Sequence, residues 1–406
     1  MSIVGGLDIH RKQLTFDWVD EQNGRWERGR IAPADREHLA GWLTRFDPTV
    51  DAPVAFAVEG CTGWRYVAEE MHKAGVVAHL AEPADTSVLR GPKRRAKTDK
   101  ADAKLLRELL AAGRLPECYI PPAQVLEWRA LLELYQDLRV QHTGWAQRIQ
   151  AVCFHQGATA PGQAGIVRGD RARLQHIVDE QLSIVGRLQV NTALAMMDVL
   201  AEHLERLRRR LLGTARGLNG ARALMHDIYG VGPLTGLALC AWLGGAGRFT
   251  SSRKAVRFVG LDVTVHSSDG KRSPGRLSRQ GPEVLRWLLF EAAKTSARGG
   301  APGYGYYTAV RERIDANRAC LSKPGVSSAR RYTCWPTSAM RRSPSSPNRP
   351  HPAPSPDRSG RGRQRGTGTG TPAVNRWDNH AASSRRALVT PPHRRHRDAG
   401  AADGPM

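Results

Sequence analysis

An acidic residue inside an apolar segment near the N-terminus is the feature that most constrains the fold. Residues 3–20 alternate between apolar and polar side chains around a polar turn, which predicts a β-hairpin. Asp8 lies between Leu7 and Ile9 in the first strand of this hairpin. Because the burial of an unpaired carboxylate is costly, Asp8 needs a partner that satisfies its charge. The chain must therefore fold so that such a partner lies against the first strand.

Strands and helices alternate along the rest of the N-terminal third. The apolar run 53–58 predicts a buried strand with Glu59 at its end, and helical spacing at 66–74 precedes another short strand at 76–83. Thr98 is the predicted N-cap of a further helix with apolar residues on one face. This alternation predicts an α/β layer.

Two more acids belong to the helix that follows Thr98. Asp99 and Asp102 are three residues apart and share one helical face. An aspartate in the first turn is also favoured by the helix macrodipole, so these two alone indicate a structural role. Together with Asp8 and Glu59 they form a set of hard oxygen ligands without a histidine or cysteine companion, which suits Mg²⁺ or Mn²⁺. Such an ion can assist phosphodiester cleavage.

The charge of the chain indicates a polyanionic partner. Its 61 Lys and Arg outnumber 38 Asp and Glu, for a formal net charge of +23, which favours nucleic acid or an anionic membrane surface. The longest apolar stretch, Leu234–Leu243, is about half of the roughly 18–20 residues that a spanning helix needs. No export signal is recognisable, and the six cysteines lack metal-ligand spacing. We therefore expect a cytoplasmic, nucleoid-associated protein that binds nucleic acid and no membrane.

The middle of the chain contains two long amphipathic stretches. Apolar side chains recur at near-heptad spacing in residues 125–155 and again in 171–212, which predicts a helical hairpin or coiled coil. Ordinary packing between two helices accounts for this pattern as well as a dimerisation element does.

The following segment has features of a nucleic-acid-binding region. Residues 224–242 resemble a helix-hairpin-helix, in which Gly230 and Gly232 leave room for backbone amides to approach a phosphate, although a Gly-x-Gly sequence is often only a turn. A loop rich in Ser, Gly, Lys and Arg follows, and then a helix over 282–296. The cationic side chains suited to phosphate contacts are Lys93, Arg94, Arg95, Lys97, Arg276, Arg279 and Arg286.

The composition changes near residue 321. Residues 321–406 hold 16 Lys and Arg against 4 Asp, together with 12 of the 25 prolines. Such a segment cannot bury enough apolar surface to fold, so we expect it to be disordered. It is either a basic tail that binds nucleic acid or the product of a frameshift. We favour the frameshift, because a two-base shift of the codons for residues 334–341 permits the helix-like sequence LADLGDE.

Three N-terminal motifs resemble those of a known family. GLDIHRK, VEGCTGW and KTDKADAKLL, in this order and spacing, resemble the DEDD motifs of insertion-sequence transposases of the IS-110, IS-116 and IS-902 group, the bridge-RNA-guided recombinases. The N-terminal domain of that family is similar to the Holliday-junction resolvase RuvC and has an RNase H-like fold. The resemblance implies that Asp8, Glu59, Asp99 and Asp102 are catalytic and bind the metal.

The block from residue 228 to about 297 resembles the C-terminal transposase domain of the same family. The family pattern is a Gly-x-Gly turn, an Arg-Phe, a Gly-Leu and a Ser-Gly whose serine is the nucleophile. The matching residues here are Gly230 and Gly232, Arg248 and Phe249, Gly260 and Leu261, and Ser267 and Ser268. The spacing implies that Ser268 is the nucleophile, with Ser267 as the fallback. Asp269 stands where the family has glycine, which leaves activity in doubt.

The resemblance implies a full organisation for the chain. We expect a RuvC-like α/β domain at 1–118, a helical coiled coil at 119–220, a mainly α transposase domain at 221–320 and a disordered tail at 321–406. The implied reaction is metal-assisted, serine-dependent DNA cleavage and rejoining by a dimer or tetramer that uses a guide RNA. A junction resolvase or nuclease that uses water, and an inactive nucleic-acid-binding relic, are the alternatives.

Overall fold

A six-stranded mixed sheet forms the centre of the N-terminal region in the computed structural model. The structure describes residues 3–90, 98–158, 170–268 and 271–322, and it describes only the backbone of 246, 263–268, 271–276, 296 and 321–322. Several predictions therefore lie outside the described residues, namely those on Lys93, Arg94, Arg95, Lys97, Asp269 and the tail beyond 322.

The sheet has the strand arrangement of an RNase H-like fold. Its strands are β1 Ile3–Ile9, β2 Leu14–Asp20, β3 Trp26–Ile31, β4 Val54–Glu59, β5 Val77–Ala81 and β6 Glu117–Cys118, in the order β3-β2-β1-β4-β5-β6. β1, β2 and β3 form an antiparallel meander, β4 pairs parallel with β1, and β5 pairs parallel with β4. The hairpin and the strand ending in Glu59 are confirmed, and β1 lies in the interior of the sheet.

Helices cover both faces of this sheet. They are α1 Arg36–Leu43, α2 Trp64–Lys73, α3 Pro83–Val88 and α4 Asp99–Ala111. One face carries Leu7, Phe16 and Phe56, which share a buried cluster with residues of α1 and α2. The opposite face carries Val4 and the β4 alanines, which pack with Leu106 of α4. Because side chains alternate along a strand, Asp8 belongs to the face that α4 covers.

Two local features hold α4 in place. The hydroxyl of Thr98 accepts a hydrogen bond from the N–H of Ala101 at 3.2 Å, so the predicted N-cap is confirmed. Gly6 lets the helix approach β1 closely, because a Cβ at this position would collide with the carbonyl oxygen of Ala103. Any larger residue at position 6 would push α4 away from the strand that carries Asp8.

A buried ion-pair network joins the same helix to the strands. Asp17 of β2 is fully buried, and its carboxylate pairs with the guanidinium groups of Arg28 on β3 and Arg107 on α4. The indole N–H of Trp26 donates a further hydrogen bond to Asp17 at 3.3 Å. A buried carboxylate with several donors is satisfied, whereas the loss of one partner leaves uncompensated buried charge.

Replacing Asp17 with alanine should therefore destabilise the protein strongly. The Asp17→Ala variant leaves Arg28 and Arg107 without their partner, and we expect a loss of about 3–5 kcal/mol in the free energy of unfolding. Chemical denaturation of the full chain, followed by tryptophan fluorescence, measures this loss. Asp47→Ala, at an exposed position, is the matched control and should change the stability by less than about 0.5 kcal/mol. Equal stabilities of the two variants would contradict the structural role of Asp17.

The middle of the chain forms a helical hairpin. It consists of α5 Ala123–His155, α6 Arg171–Gln181 and α7 Ile184–Gly217. Ile149 and Cys153 near the end of α5 share a buried cluster with Val190 near the start of α7, so the two long helices run antiparallel. The prediction of a single helix over 171–212 is wrong, because the helix is interrupted between Gln181 and Ile184. The hydroxyl of Ser183 caps α7 by accepting a hydrogen bond from the N–H of Gly186 at 3.1 Å.

The same helix α7 is more apolar than the sequence indicated. By length and composition it is apolar enough to cross a membrane. It was not recognised from the sequence because charged residues interrupt its apolar run. A third of its apolar stretch is buried within the protein, and a single helix of this kind is weak evidence for a membrane span.

The C-terminal region is mainly helical. Its helices are α8 Asn219–Asp227, α9 Pro233–Leu243, α10 Ser252–Val259, α11 Glu283–Lys294, α12 Tyr304–Arg313 and α13 Ala316–Ser322, and its strands are β7 Val263–Ser268 and β8 Lys271–Leu277. α9 is buried on nearly all sides and lies at the centre of this core. The residues predicted as a loop instead form the antiparallel β7–β8 hairpin, which agrees with the β-branched residues at its start.

Candidate functional site

A buried carboxylate oxygen without a hydrogen bond lies at the centre of the candidate site. The side chain of Asp8 is 7% exposed, and its Oδ2 atom has no hydrogen-bond partner among the described residues. The Nε2 atom of His10 lies 3.0 Å from this oxygen, close enough for an ion pair, but the geometry is not that of a hydrogen bond. A buried oxygen of this kind is costly unless a cation satisfies it.

Asp99 and His10 complete a group of three possible ligands around this oxygen. Asp99 is the first residue of α4, and its Oδ1 atom lies 3.2 Å from Nε2 of His10. One ligand atom from each of Asp8, His10 and Asp99 lies within 4.8 Å of the other two. The side-chain amide of Gln13 donates a hydrogen bond to Asp99 Oδ2 at 3.3 Å. The β1–β2 turn therefore supplies a group that orients the acid on α4.

Glu59 and Asp102 lie beside the guanidinium group of Arg90 rather than beside His10. The guanidinium of Arg90, just after α3, lies 3.0 Å from Asp102 and 3.8 Å from Glu59. Its Nε atom is buried and has no hydrogen bond within the part of the chain that the structure describes. Glu59 ends β4, which is the parallel neighbour of β1, and Asp102 lies one turn after Asp99. Arg90 thus partly neutralises the two acids that His10 does not contact.

The four predicted acids act on one another electrostatically. Burial raises the pKa of Asp8 above its ordinary value, His10 lowers it, and the negative charges of Asp102, Asp99 and Glu59 raise it further. A buried carboxylate with three further acids close enough to raise its pKa suits a hard divalent cation. The presence of His10 corrects the expectation that the acids have no histidine companion. Strand alternation could have revealed it, because His10 lies two residues beyond Asp8.

The raised pKa of Asp8 has a measurable consequence for stability. A carboxyl whose pKa is higher in the folded state costs stability above its unfolded pKa of about 3.9, and this cost disappears at lower pH. In EDTA at pH 7, Asp8→Asn should therefore melt at a higher temperature than the wild type. The difference should vanish below about pH 4, where the wild-type carboxyl is protonated in both states. Differential scanning calorimetry across this pH range measures the effect.

Asp35→Asn is the matched control for this experiment. The exposed Asp35 caps α1, and the backbone N–H of His38 holds its pKa below the ordinary value. Its ionised form therefore favours the fold, and its replacement by asparagine should not raise the melting temperature at pH 7. An Asp8→Asn variant that melts below the wild type in EDTA would show that the charged carboxylate stabilises the metal-free fold, against the present account.

The serines lie on a different part of the fold. Ser268 is the last residue of β7 and pairs with Lys271, and Ser267 pairs with Arg272. They belong to the C-terminal region rather than to the sheet that carries the four acids. The structure thus brings the four acids together and leaves the predicted nucleophile on a separate element.

The predicted phosphate contacts have varied surroundings. Arg276 lies in β8, and Arg279 is exposed with a backbone φ of 53°. The Nη1 group of Arg286 donates hydrogen bonds to the carbonyl oxygens of Gln280 at 2.9 Å and Gly281 at 2.6 Å. This guanidinium therefore anchors the segment that precedes α11, a role that the sequence did not indicate.

The two glycines of the predicted helix-hairpin-helix differ from each other. Gly230 has a φ of 86°, and a Cβ there would lie 2.7 Å from the carbonyl oxygen of Ala292, so packing against α11 already requires glycine. Gly232 is the N-cap of α9, and a Cβ at this position would meet no atom within 4 Å. Only the second glycine therefore borders open space.

Comparison with known proteins places the chain among the transposases. A DEDD family model described as "Transposase" matches residues 5–153, and a model described as "Transposase IS116/IS110/IS902 family" matches residues 222–308, together more than half of the chain. The first match contains all four acids and the second contains both serines. The fold and these matches define a transposase with a DEDD-type N-terminal domain. The chain belongs to the IS116/IS110/IS902 family, and membership implies that it binds DNA.

Two relatives agree with this assignment. The chain is 24% identical over 254 residues to "Probable family 20 transposase" of Pseudomonas aeruginosa, an alignment that covers 61% of this chain and 72% of the relative. It is 33% identical over 102 residues to "Transposase for insertion sequence element IS1111A" of Coxiella burnetii, which covers 24% of this chain and 28% of that protein.

Proposed function

We propose that this transposase cleaves and rejoins DNA strands with Ser268 as the nucleophile, assisted by Mg²⁺ or Mn²⁺ held by Asp8, Glu59, Asp99 and Asp102. The observation that carries the proposal is the buried Asp8 oxygen without a hydrogen bond, near which lie the negative charges of Glu59 on β4 and of Asp99 and Asp102 on α4. A bound divalent cation would supply Lewis-acid stabilisation of negative charge on phosphate oxygens. The four acids would supply carboxylate oxygens as ligands for this cation.

The covalent step replaces one phosphodiester linkage with another. The Oγ atom of Ser268 forms a bond to phosphorus while one backbone P–O bond of the DNA breaks, and the departing oxygen leaves as a hydroxyl after it gains a proton. The proton of the serine passes to a nearby base or to water. Attack by a new DNA hydroxyl on the phosphoserine reverses this step and joins the strands, so that no external energy source is needed.

The register of the β7–β8 hairpin supports a distinction between the two serines. Consecutive residues of a strand belong to opposite faces, so Ser267 and Ser268 do not share a face of the hairpin. Only one of them can meet a given phosphate.

We further propose that the partners are DNA at the element ends and target, a guide RNA and other copies of this chain. The net charge of +23 supports a polyanionic partner, and the basic residues predicted to contact phosphates are part of it. Oligomerisation is supported by apolar side chains that α7 exposes along one face, in two pairs eleven residues apart. These are Val185, Leu188, Met196 and Val199, with exposed fractions of 63%, 66%, 41% and 52%.

A covalent-adduct experiment tests the proposed nucleophile. Wild-type protein incubated with Mg²⁺, the element's end DNA and the RNA transcribed from its flank should form a protein–DNA adduct that survives denaturant. Ser268→Ala should remove the adduct, whereas Ser267→Ala, the matched control, should retain at least about half of it, because position 267 belongs to the other face of the hairpin. Denaturing electrophoresis measures the yield, and mass spectrometry of the peptide 266–271 locates the phosphate.

The alternatives give different outcomes in the same experiment. DNA cleavage that persists when both serines are replaced would show a nuclease or junction resolvase that uses water. DNA binding by the wild type without cleavage or adduct, under conditions where the RNA is bound, would show an inactive nucleic-acid-binding relic. An adduct that depends on Ser267 alone would transfer the nucleophilic role to that residue.

A further inference from the structure

The turn that connects β1 and β2 fixes a histidine beside the acids. The backbone N–H of His10 donates to the carbonyl oxygen of Gln13 at 3.0 Å, which closes the turn directly after Ile9, the last residue of β1. The His10 side chain is 53% exposed, so burial in the hydrophobic core does not explain its position. Its Nε2 atom nevertheless lies against two carboxylates, 3.0 Å from Asp8 and 3.2 Å from Asp99.

These distances match the spacing of ligands around one ion. Two donor atoms in adjacent positions of an octahedron, with bonds of about 2.1 Å, lie about 3.0 Å apart. The Nε2 atom of His10 has this spacing to Oδ2 of Asp8 and nearly so to Oδ1 of Asp99. One ligand atom from each of the three residues lies within 4.8 Å of the others. A single cation can therefore contact all three residues without a large rearrangement.

A second observation indicates a ligand at this place. Oδ2 of Asp8 belongs to a side chain that is only 7% exposed, and it has no hydrogen bond to any residue that the structure describes. The nitrogen beside it is in ion-pair range but not in hydrogen-bond geometry. An atom that is buried, negatively charged and not hydrogen-bonded is best satisfied by a metal ion.

We propose that His10 is a metal ligand of this transposase, with Nε2 in the same coordination shell as Asp8 Oδ2 and Asp99 Oδ1. The inference rests on the proposed function, because it refines the ligand set of the same cation. An imidazole nitrogen binds first-row transition metals better than it binds Mg²⁺, which prefers oxygen. The His10 ligand therefore makes the site select Mn²⁺ over Mg²⁺.

A different role for His10 leads to the opposite expectation. A protonated imidazole would neutralise Asp8 and Asp99 in place of a metal, and its removal would then strengthen metal binding. A ligand, in contrast, contributes directly to metal affinity, so its removal weakens metal binding. The effect of removing His10 on Mn²⁺ affinity thus decides between the two roles.

Mn²⁺ titration followed by electron paramagnetic resonance measures this affinity in the full-length protein. His10→Ala should weaken Mn²⁺ binding by at least about tenfold. The affinity for Mg²⁺, measured by competition, should change by less than about threefold. His38→Ala is the matched control, because His38 is similarly exposed and has Nδ1 2.9 Å from Asp35, but lies in the first turn of α1, away from the four acids. It should bind Mn²⁺ like the wild type.

Pulsed electron paramagnetic resonance provides a direct second readout. Bound Mn²⁺ should show nitrogen coupling that changes when the histidines carry ¹⁵N, that persists in His38→Ala and that is absent in His10→Ala. Bound Mn²⁺ without nitrogen coupling, or tighter binding in His10→Ala, would overturn the His10 proposal and leave the four-acid site intact. A wild-type protein that binds no Mn²⁺ would overturn both the proposed cation site and this refinement of it.

Discussion

The fold is organised around a buried negative charge that the protein only partly compensates. Asp8 lies on an interior strand, under α4, and one of its oxygens has no hydrogen bond from the described residues. Gly6 and the Asp17–Arg107 ion pair hold α4 close to that strand, and so hold Asp99 and Asp102 near Asp8. The contacts that hold α4 against the sheet thus also hold several negative charges close together. Such an arrangement costs stability without a ligand and is typical of functional sites.

His10 and Arg90 divide the four acids into two pairs. His10 lies against Asp8 and Asp99, whereas Arg90 lies against Asp102 and Glu59. The two pairs differ in chemistry, because an imidazole can bind a metal and a guanidinium cannot. Asp8 and Asp99, with His10 beside them, therefore offer the better donors for the proposed metal ion. Arg90 supplies a fixed positive charge beside Asp102 and Glu59.

Local patterns in the sequence predicted the elements that carry the four acids, and non-local contacts account for what the patterns missed. Alternation predicted the strand of Asp8, an apolar run predicted the strand that ends in Glu59, and capping chemistry predicted the helix of Asp99 and Asp102. The roles of Arg90 and Asp17 depend on residues far along the chain, and no local pattern indicates them. The β7–β8 hairpin was missed because its polar composition outweighed three β-branched residues. Motifs in the sequence identified the family, whereas the surroundings of the four acids depend on tertiary packing.

A divalent cation bound by the acids around Asp8 would be visible by crystallography. The decisive measurement is an anomalous difference map from crystals of the full-length protein grown with Mn²⁺ and measured near the manganese absorption edge. We expect a peak about 2.0–2.2 Å from an Asp8 oxygen, with Asp99 in the same coordination shell. A map without a peak at this place, at an Mn²⁺ concentration that saturates the protein in solution, would show that these acids do not hold the cation.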